Sequence, residues 1–362
     1  MTGLTFQLIT TLAGLNALRD EWNSLAEAYQ NPLLRHEWFF SSAVAFCPPD
    51  ELSILVTRSG NRICGVAPLV RTRRLNLDHF ATLGAGYLSE PTNFLYTSPE
   101  VMAQLLLKIL EKGNPLILEK MSVDPMVNPV IQRACREKDF LCIEQIVSSP
   151  WIPLDSSWDA FECKMSAERQ SSIRRARKRL QGQGEYEVEV VQHNSSGLCS
   201  RLEEAFRVEA AGWKGRLGTA ILADPKLKAF FLTYAHAAEQ AGILRLFFLR
   251  VNGRSIAMVF AVEFGRRLWI LKIGYDENWR KYSPGILLLH ETIRWAFERK
   301  LEAYEFLGSY EPWIATWTSR LHSLITYRLI PRSTRGILWL GIEGNRSLFR
   351  KASRLSAKAH AQ

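Results

Sequence analysis

The chain has 362 residues, 47% of them apolar and 23% charged, an ordinary globular balance that excludes a disordered or fibrous protein. Its length exceeds one typical domain, and no apolar run approaches the ~18 residues that would span a bilayer. The N-terminal stretch MTGLTFQLITTLAGLNALRDEW has neither a basic n-region nor a small-residue cleavage site, so the expected location is cytoplasmic.

The formal net charge of +10 is concentrated in two places. Arg169, Arg174, Arg175, Arg177, Lys178 and Arg179 stand together without an acid, and Arg346, Arg350, Lys351, Arg354 and Lys358 form a second group. The rest of the chain is close to neutral, which argues against a DNA-binding surface. The cysteines (Cys47, Cys64, Cys135, Cys142, Cys163, Cys199) include no Cys-x-x-Cys pair, and the histidines are scattered. Reduced thiols and no metal site are expected.

In chain order, ALRDEWNSL (17–25) reads as a helix. Leu52 to Val70 then alternates through two apolar strands around a Gly/Asn/Ser turn, a β-hairpin pattern. Leu83 to Tyr96 has Gly and Pro but no arginine or strand–helix context suited to a phosphate. Residues 148–162 mix Ser, Pro, Asp and isolated Trp and read as a linker. The run SSIRRARKRLQGQG places Ile173, Ala176 and Leu180 on one helical face and its arginines on the wet one. A second Trp-containing helix, LEEAFRVEAAGWKG, precedes Leu244 to Val262, which aligns without a gap on Leu52 to Val70: Leu52 meets Leu244, Ile54 meets Leu246, Arg58 meets Arg250 and Arg62 meets Arg254. Two copies of one mixed α/β unit, half a chain apart, predict a duplicated architecture.

Leu268 to Tyr275 (LWILKIGY) reads as a buried strand, and Ile286, Leu289, Ile293, Ala296 and Phe297 recur at helical spacing. Between them lies Arg280-Lys281-Tyr282-Ser283-Pro284-Gly285. A turn that opens a helix aims free N–H groups and the positive helix end at one point, which suits a phosphate. Pro284 has no N–H, so the donors would be Ser283, Gly285 and Ile286, with Arg280 adding a charged hydrogen bond. An ordinary helix start is the plainer reading of the same pattern.

YDENWRKYSPG resembles the coenzyme-A signature of the GNAT acyltransferase superfamily, Arg/Gln-x-x-Gly-x-Gly/Ala after the fourth strand. Arg280 takes the Arg position, Ser283 the first Gly and Gly285 the last. The wording Tyr-Asp-x-x-(aromatic)-x-x-Tyr-Ser-Pro-Gly-x-Leu-Leu is similar to the CelD-type acetyltransferase-like branch, relatives of the Fem peptidyltransferases linked to cell-envelope polysaccharides. Glu209-Ala-Ala-Gly-Trp-Lys-Gly-Arg-Leu-Gly-Thr219 resembles the same branch. The resemblance implies an α/β fold of mixed α+β sheets in two tandem GNAT-like domains with a shared cleft. Residues 1–150 would be an N-terminal GNAT-like domain without coenzyme binding, 160–340 the acyltransferase domain and 341–362 a basic tail.

The resemblance also implies acetyl-CoA or another acyl-CoA as co-substrate, direct transfer to an amine or hydroxyl, and no metal. The acceptor would be a small molecule, an amino sugar or an envelope-polysaccharide precursor. Asp276 at the end of the coenzyme strand, Glu305 in the fifth strand (AYEFLG) and Tyr310 in the next loop are the catalytic candidates. Asp276 as a turn brace, Glu305 as a solvent-facing strand residue and Tyr310 as a packing anchor are the plainer readings. Trp213, Lys214 and Arg216 are candidates for holding the acceptor, against a helix cap followed by a surface loop. Arg174, Arg175 and Arg177 read either as an anion patch or as a solvated helix face. An aminoacyl-tRNA-dependent Fem-type transferase keeps the fold and changes the donor to tRNA. Trp313-Ile314, where the Fem-like pattern has Tyr-Lys, weighs against it. A non-enzymatic scaffold of a polysaccharide-synthesis complex is a further alternative, and the basic tail suggests a peripheral membrane contact.

Overall fold

The computed structural model describes residues 3–74, 77–192 and 197–342; the basic tail from residue 343 onward lies outside the described residues. Among the described residues thirteen strands form one mixed sheet. They are β1 (Leu4–Ile9), β2 (Leu52–Ser59), β3 (Arg62–Arg74), β4 (Leu77–Thr82), β5 (Leu95–Tyr96), β6 (Leu116–Ser122) and β7 (Phe140–Pro153) in the first half. The second half adds β8 (Tyr186–Val191), β9 (Leu244–Val251), β10 (Arg254–Phe264), β11 (Arg267–Tyr275), β12 (Ala303–Glu305) and β13 (Leu321–Pro331). The spatial order is β1-β2-β3-β4-β6-β13-β7-β12-β11-β10-β9-β8, with the short β5 paired to β3.

The internal repeat survives down to backbone register. In the first hairpin Leu52 pairs with Val70 and Ser59 with Arg62; in the second Leu244 pairs with Val262 and Val251 with Arg254. Each hairpin carries one β-bulge, and the residue left out of the ladder is Cys64 in one and Ile256 in the other, positions that the gapless alignment matches. An irregularity repeated at the same place marks a feature of the unit itself. Each half continues through an antiparallel fourth strand to a parallel fifth: β4 beside β6, and β11 beside β12.

Beyond the fifth strands the halves exchange chain. β13, at the C-terminal side, pairs with β6 and along its whole length with β7, while the end of β7 pairs with β12. The stretch expected as a linker from residue 148 is therefore still strand through Pro153; only 154–157 is irregular before a short helix, Trp158–Lys164. Ser148 to Pro150 are fixed by pairing with Leu321 to Ser323, a partner almost 175 residues away, which local composition cannot reveal.

The two units also share a core. Trp38, on helix His36–Phe46, packs edge-on against Phe230 and Tyr234 of helix Pro225–Gln240, with ring centroids 5.0 Å apart in both cases. All three are essentially buried, so this contact is hydrophobic core. Helix Ala167–Gln181 buries Ile173, Ala176 and Leu180 as its period predicts and leaves Arg174 and Arg175 exposed.

Glu305 sits at the junction of the exchange, 1% exposed. It accepts from Arg267 Nη1 at 2.8 Å and lies 3.0 Å from His322 Nε2, whose ring stacks on Trp151. These partners come from β11, β13 and β7, so one carboxylate ties the exchanged strands to the fifth strand of the second half. Glu305→Ala strands an arginine and a histidine that are only partly solvated. The expected loss is about 2 kcal/mol of stability, read as a lower urea midpoint with unchanged slope; an unshifted midpoint contradicts the clamp.

Candidate active site

β12 pairs with β11 only at Arg267, Leu268 and Trp269. Past that point β11 continues to Tyr275 bonded to β10 alone, and a β-bulge leaves Leu271 out of that ladder. The parting of two parallel strands opens a wedge, and a cavity of about 620 Å³ occupies it. That size suits a small-molecule or cofactor site. Its walls come from β11 (Ile273, Gly274, Tyr275), the turn and first residues of helix Pro284–Glu298 (Arg280, Ser283, Gly285, Ile286), the loop with Gly212, Trp213 and Lys214, and the later loop with Trp313 and Trp317.

The helix start is built to receive a partner. Ser283 has φ 54° and ψ 47°, the left-handed region that favours glycine, and its side chain does not cap the helix. This explains why the resembled signature has Gly where this chain has Ser. Ser283 N–H donates to Arg280 O, and Ile286 and Leu287 N–H both donate to Ser283 O. Of the expected donors, Gly285 N–H and the Ser283 hydroxyl thus stay uncommitted, at a helix end with no acid in its first turn. Arg280 is exposed and forms no side-chain hydrogen bond or ion pair among the described residues. A Cβ on Gly285 would come within 3.1 Å of the Tyr275 ring, so the glycine seats that ring against the turn.

The corresponding region of the first half is closed on itself. Helix Pro99–Leu110 begins at Ser98, whose hydroxyl accepts from Val101 N–H at 3.4 Å, and Glu100 stands in its first turn. That helix end thus has one N–H taken by its own serine and a negative charge in its first turn. All the named walls of the large cavity come from residues 169–317. The first half contacts the loop after β12 through Glu90, whose Oε2 accepts from Gly308 N–H at 3.1 Å.

The Gly-Trp-Lys-Gly segment is tight. Cβ atoms on Gly212 and Gly215 would lie 3.0 Å from Tyr275 O and 1.9 Å from Ala210 O. These glycines permit close backbone approach and hold the segment against the strand end. Lys214 Nζ thereby reaches Ile273 O at 2.9 Å and Glu209 Oε1 at 3.5 Å. Glu209, 1% exposed, accepts from Ile221 N–H at 2.9 Å. Burial holds Lys214 below the usual lysine range; Glu209 opposes that shift and nearby Lys272 adds to it. Across the cavity the half-buried Arg169 lies over the Trp317 ring, 4.2 Å to its centroid, with no side-chain partner among the described residues. Burial lowers its affinity for a proton.

Of the residues expected at the site, Trp213, Lys214, Arg280, Ser283, Gly285 and Ile286 meet around this cavity. Asp276 does not line it. Its carboxylate takes Arg254 Nη2 at 2.8 Å and Asn278 N–H at 3.0 Å, which braces the turn from behind. Glu305 is engaged in its clamp, and Tyr310, 39% exposed, donates to Thr318 O at 3.3 Å. Arg216 is exposed and paired with Glu277. Arg174 and Arg175 are exposed, whereas Arg177 donates to Glu291 at 2.6 Å beside the buried His290 and joins its helix to helix Pro284–Glu298. Glu209 and Arg169 were given no role at the site by the sequence reading, and Trp317 was not singled out. A signal for the first was present in Gly274, where a Cβ would fall 2.6 Å from Glu209 Cα: a glycine inside a strand marks close backbone approach.

Among the described residues no group of three or more His, Cys, Asp or Glu could hold a metal ion, and no helix is long and apolar enough to cross a membrane. Residues 167–313 match the acetyltransferase (GNAT) domain family. No curated protein matches the chain. Among solved structures, FemX is similar with a TM-score of 0.59 at 11% identity, over 89% of this chain and 96% of that one. The C-terminal domain (DUF2156) of a putative lysylphosphatidylglycerol synthetase from Agrobacterium fabrum gives 0.56 at 11% identity, over 87% and 92%. A conserved protein of unknown function from Bacteroides thetaiotaomicron gives 0.52 at 12%, over 90% and 99%. At such identities the likeness is one of fold. The wedge, the helix end above it and the family match coincide on one segment, residues 167–313, and the GNAT acetyltransferase domain matched there supports an acyltransferase.

Proposed function

We propose that this protein is an acyl-CoA-dependent N- or O-acyltransferase, with acetyl-CoA as donor, that acts by direct transfer on an amino sugar or an envelope-polysaccharide precursor. One observation carries the reading: a single cavity joins the open edge of β11 to a helix end with an uncommitted Gly285 N–H, Ser283 hydroxyl and Arg280. The group that fits combines a phosphate at one end with a narrow amide-bearing arm at the other, which describes an acyl-CoA. When bound, it supplies an activated thioester carbonyl.

The protein's own part is positional. Gly285 N–H, Ser283 Oγ and Arg280 would hold the phosphate. The unpaired N–H and C=O groups of β11 beyond Trp269 would meet the amides of the arm, as an exposed strand edge pairs an added strand. A backbone N–H of the bulged stretch around Leu271 would meet the carbonyl oxygen that gains charge during transfer. Trp213 and Trp313, 48% and 41% exposed, present flat apolar faces at the cavity that suit a sugar ring. In this reading residues 1–150 form a unit without coenzyme binding.

Saturating acetyl-CoA should raise the melting temperature of the wild type, since a ligand that binds only the folded state stabilises it by mass action. Gly285→Asp should abolish that rise, because it adds a negative charge at the helix end and displaces Tyr275. A folded Gly285→Asp protein with an undiminished rise removes the donor site from this position. Arg174→Gln with Arg175→Gln tests the basic run separately from stability, because both side chains are exposed. If they hold an anionic acceptor, its KM should rise about tenfold and the difference should shrink with added salt. Unchanged kinetics at low salt leave them as surface charge.

A further inference from the structure

We propose that Lys214 is the proton-transfer residue of this site, with Glu209 as its counter-ion. The proposal rests on the acyl-transfer reading and deepens it by naming the base. The argument begins with the titratable groups around the cavity. Among the described lining residues these are Arg169, Glu209, Lys214, Tyr275 and Arg280. Arginines do not give up a proton near neutrality, and a tyrosine is a weak acid that offers no basic lone pair of use there. Asp276 and Glu305 are held by Arg254 and Arg267, and Glu90 accepts from Gly308 N–H; none of the three lines the cavity. Lys214 and Glu209 remain.

Their geometry divides the roles. An ammonium has three N–H groups. Lys214 gives one to Ile273 O, on the stretch of β11 that β12 has left, and a second faces Glu209 Oε1. The third is left for the cavity that Lys214 lines. Glu209 Oε2 is committed to Ile221 N–H, while its buried Oε1 accepts no hydrogen bond. A buried carboxylate oxygen without a donor is costly. Here it is the acceptor that stabilises Lys214 each time the amine becomes charged. Because Oε1 is itself shielded, Lys214 and not Glu209 is the group that touches the reacting atoms.

In the step, neutral Lys214 Nζ takes the acceptor's N–H or O–H proton as the new bond to the acyl carbon forms. Lys214 returns that proton to sulfur as the C–S bond breaks. The sum is one amide or ester and one thiol, with the lysine restored. The groups facing Nζ are Glu209 from helix Leu198–Ala210, Lys272 from β11 and, around the cavity, Arg169, Tyr275 and Arg280. Burial and Lys272 both favour the neutral amine and Glu209 the charged one. A base works only when unprotonated, so activity should be present above the Lys214 pKa and lost as the pH falls through it.

The test is a pH titration of full-length protein carrying ¹³C-labelled lysine, without ligand, with the Lys214 signal assigned by its loss in Lys214→Arg and Lys214→Met. Lys214 should titrate below the ordinary lysine value of about 10.4, and Glu209→Gln should move it lower still, because it removes the charge that favours the ammonium. Titration at the ordinary value, or no response to Glu209→Gln, overturns the proposal. These measurements involve no donor, so they decide Lys214 even if acetyl-CoA fails to bind. With acetyl-CoA and glucosamine as probe substrates, Lys214→Arg keeps the cation but cannot release its proton. It should retain donor-induced heat stabilisation and lose about 100-fold in kcat. An arginine variant as fast as wild type would show that only the charge matters and sink the assignment.

Discussion

Past Trp269, β11 has no neighbour on one side, and the rest of the second half is arranged around that open edge. Unpaired N–H and C=O groups inside a protein must find partners or water, because leaving them buried and unmet costs about 1–3 kcal/mol each. Lys214 meets one of these groups, Ile273 O. The 620 Å³ cavity keeps others open to an incoming molecule. The same parting that would weaken an ordinary sheet supplies a donor and acceptor row at the floor of a site. It lasts because β12 cannot slide along to close it: Glu305, the last residue of β12, is fixed by Arg267 and His322.

The exchange of β7 and β13 explains why this clamp lies where it does. Each half builds four antiparallel strands and a parallel fifth, then needs a further strand on the far side of the fifth. The first half takes β13 and the second takes the end of β7. Neither unit can complete its sheet alone, so the wedge in the second half is braced by chain from the first. The first half has the same strand order, but Ser98 and Glu100 satisfy its helix start. Duplication has thus produced one helix start met by its own residues and one that faces a cavity.

What the sequence revealed follows from the range of the interactions involved. The paired hairpins could be read because strand alternation and a two-residue turn are local, and their registers and even their bulges match the alignment. Arg280, Ser283, Gly285, Trp213 and Lys214 could be read because each belongs to a short motif, and folding brings those motifs to one cavity. Asp276, Glu305 and Tyr310 were placed on the right strands and loops, but sequence could not say toward which side each points; in a strand one residue decides that. Asp276 turns toward Arg254 and Glu305 toward β13. Glu209 opens the motif that carries Lys214 and Arg169 opens the basic run, but neither motif gave them a role, and Trp317 belongs to none. Only the docking of helix Leu198–Ala210 onto Gly274, and of Arg169 onto Trp317, makes them neighbours.

The glycines show how the site gains its rigidity. Glycines beside a site are readily taken as flexibility, but Gly212 and Gly215 are not of that kind. Their surroundings require the opposite, since each brings its backbone against a carbonyl with no room for a methyl group. Gly274 does the same for the end of the helix that carries Glu209. Three close backbone contacts therefore fix the distance between strand, helix and loop before any side chain is considered. Lys214 is held at both ends, by its backbone at Gly215 and by its Nζ at Ile273 O. In the proposed role it need not be ordered when an acceptor arrives, because the entropy of positioning has already been lost during folding. Catalytic groups on loops are usually the least precise part of an enzyme. Here backbone packing gives the short helical turn Trp213–Arg216 the constraint of the strand it leans on.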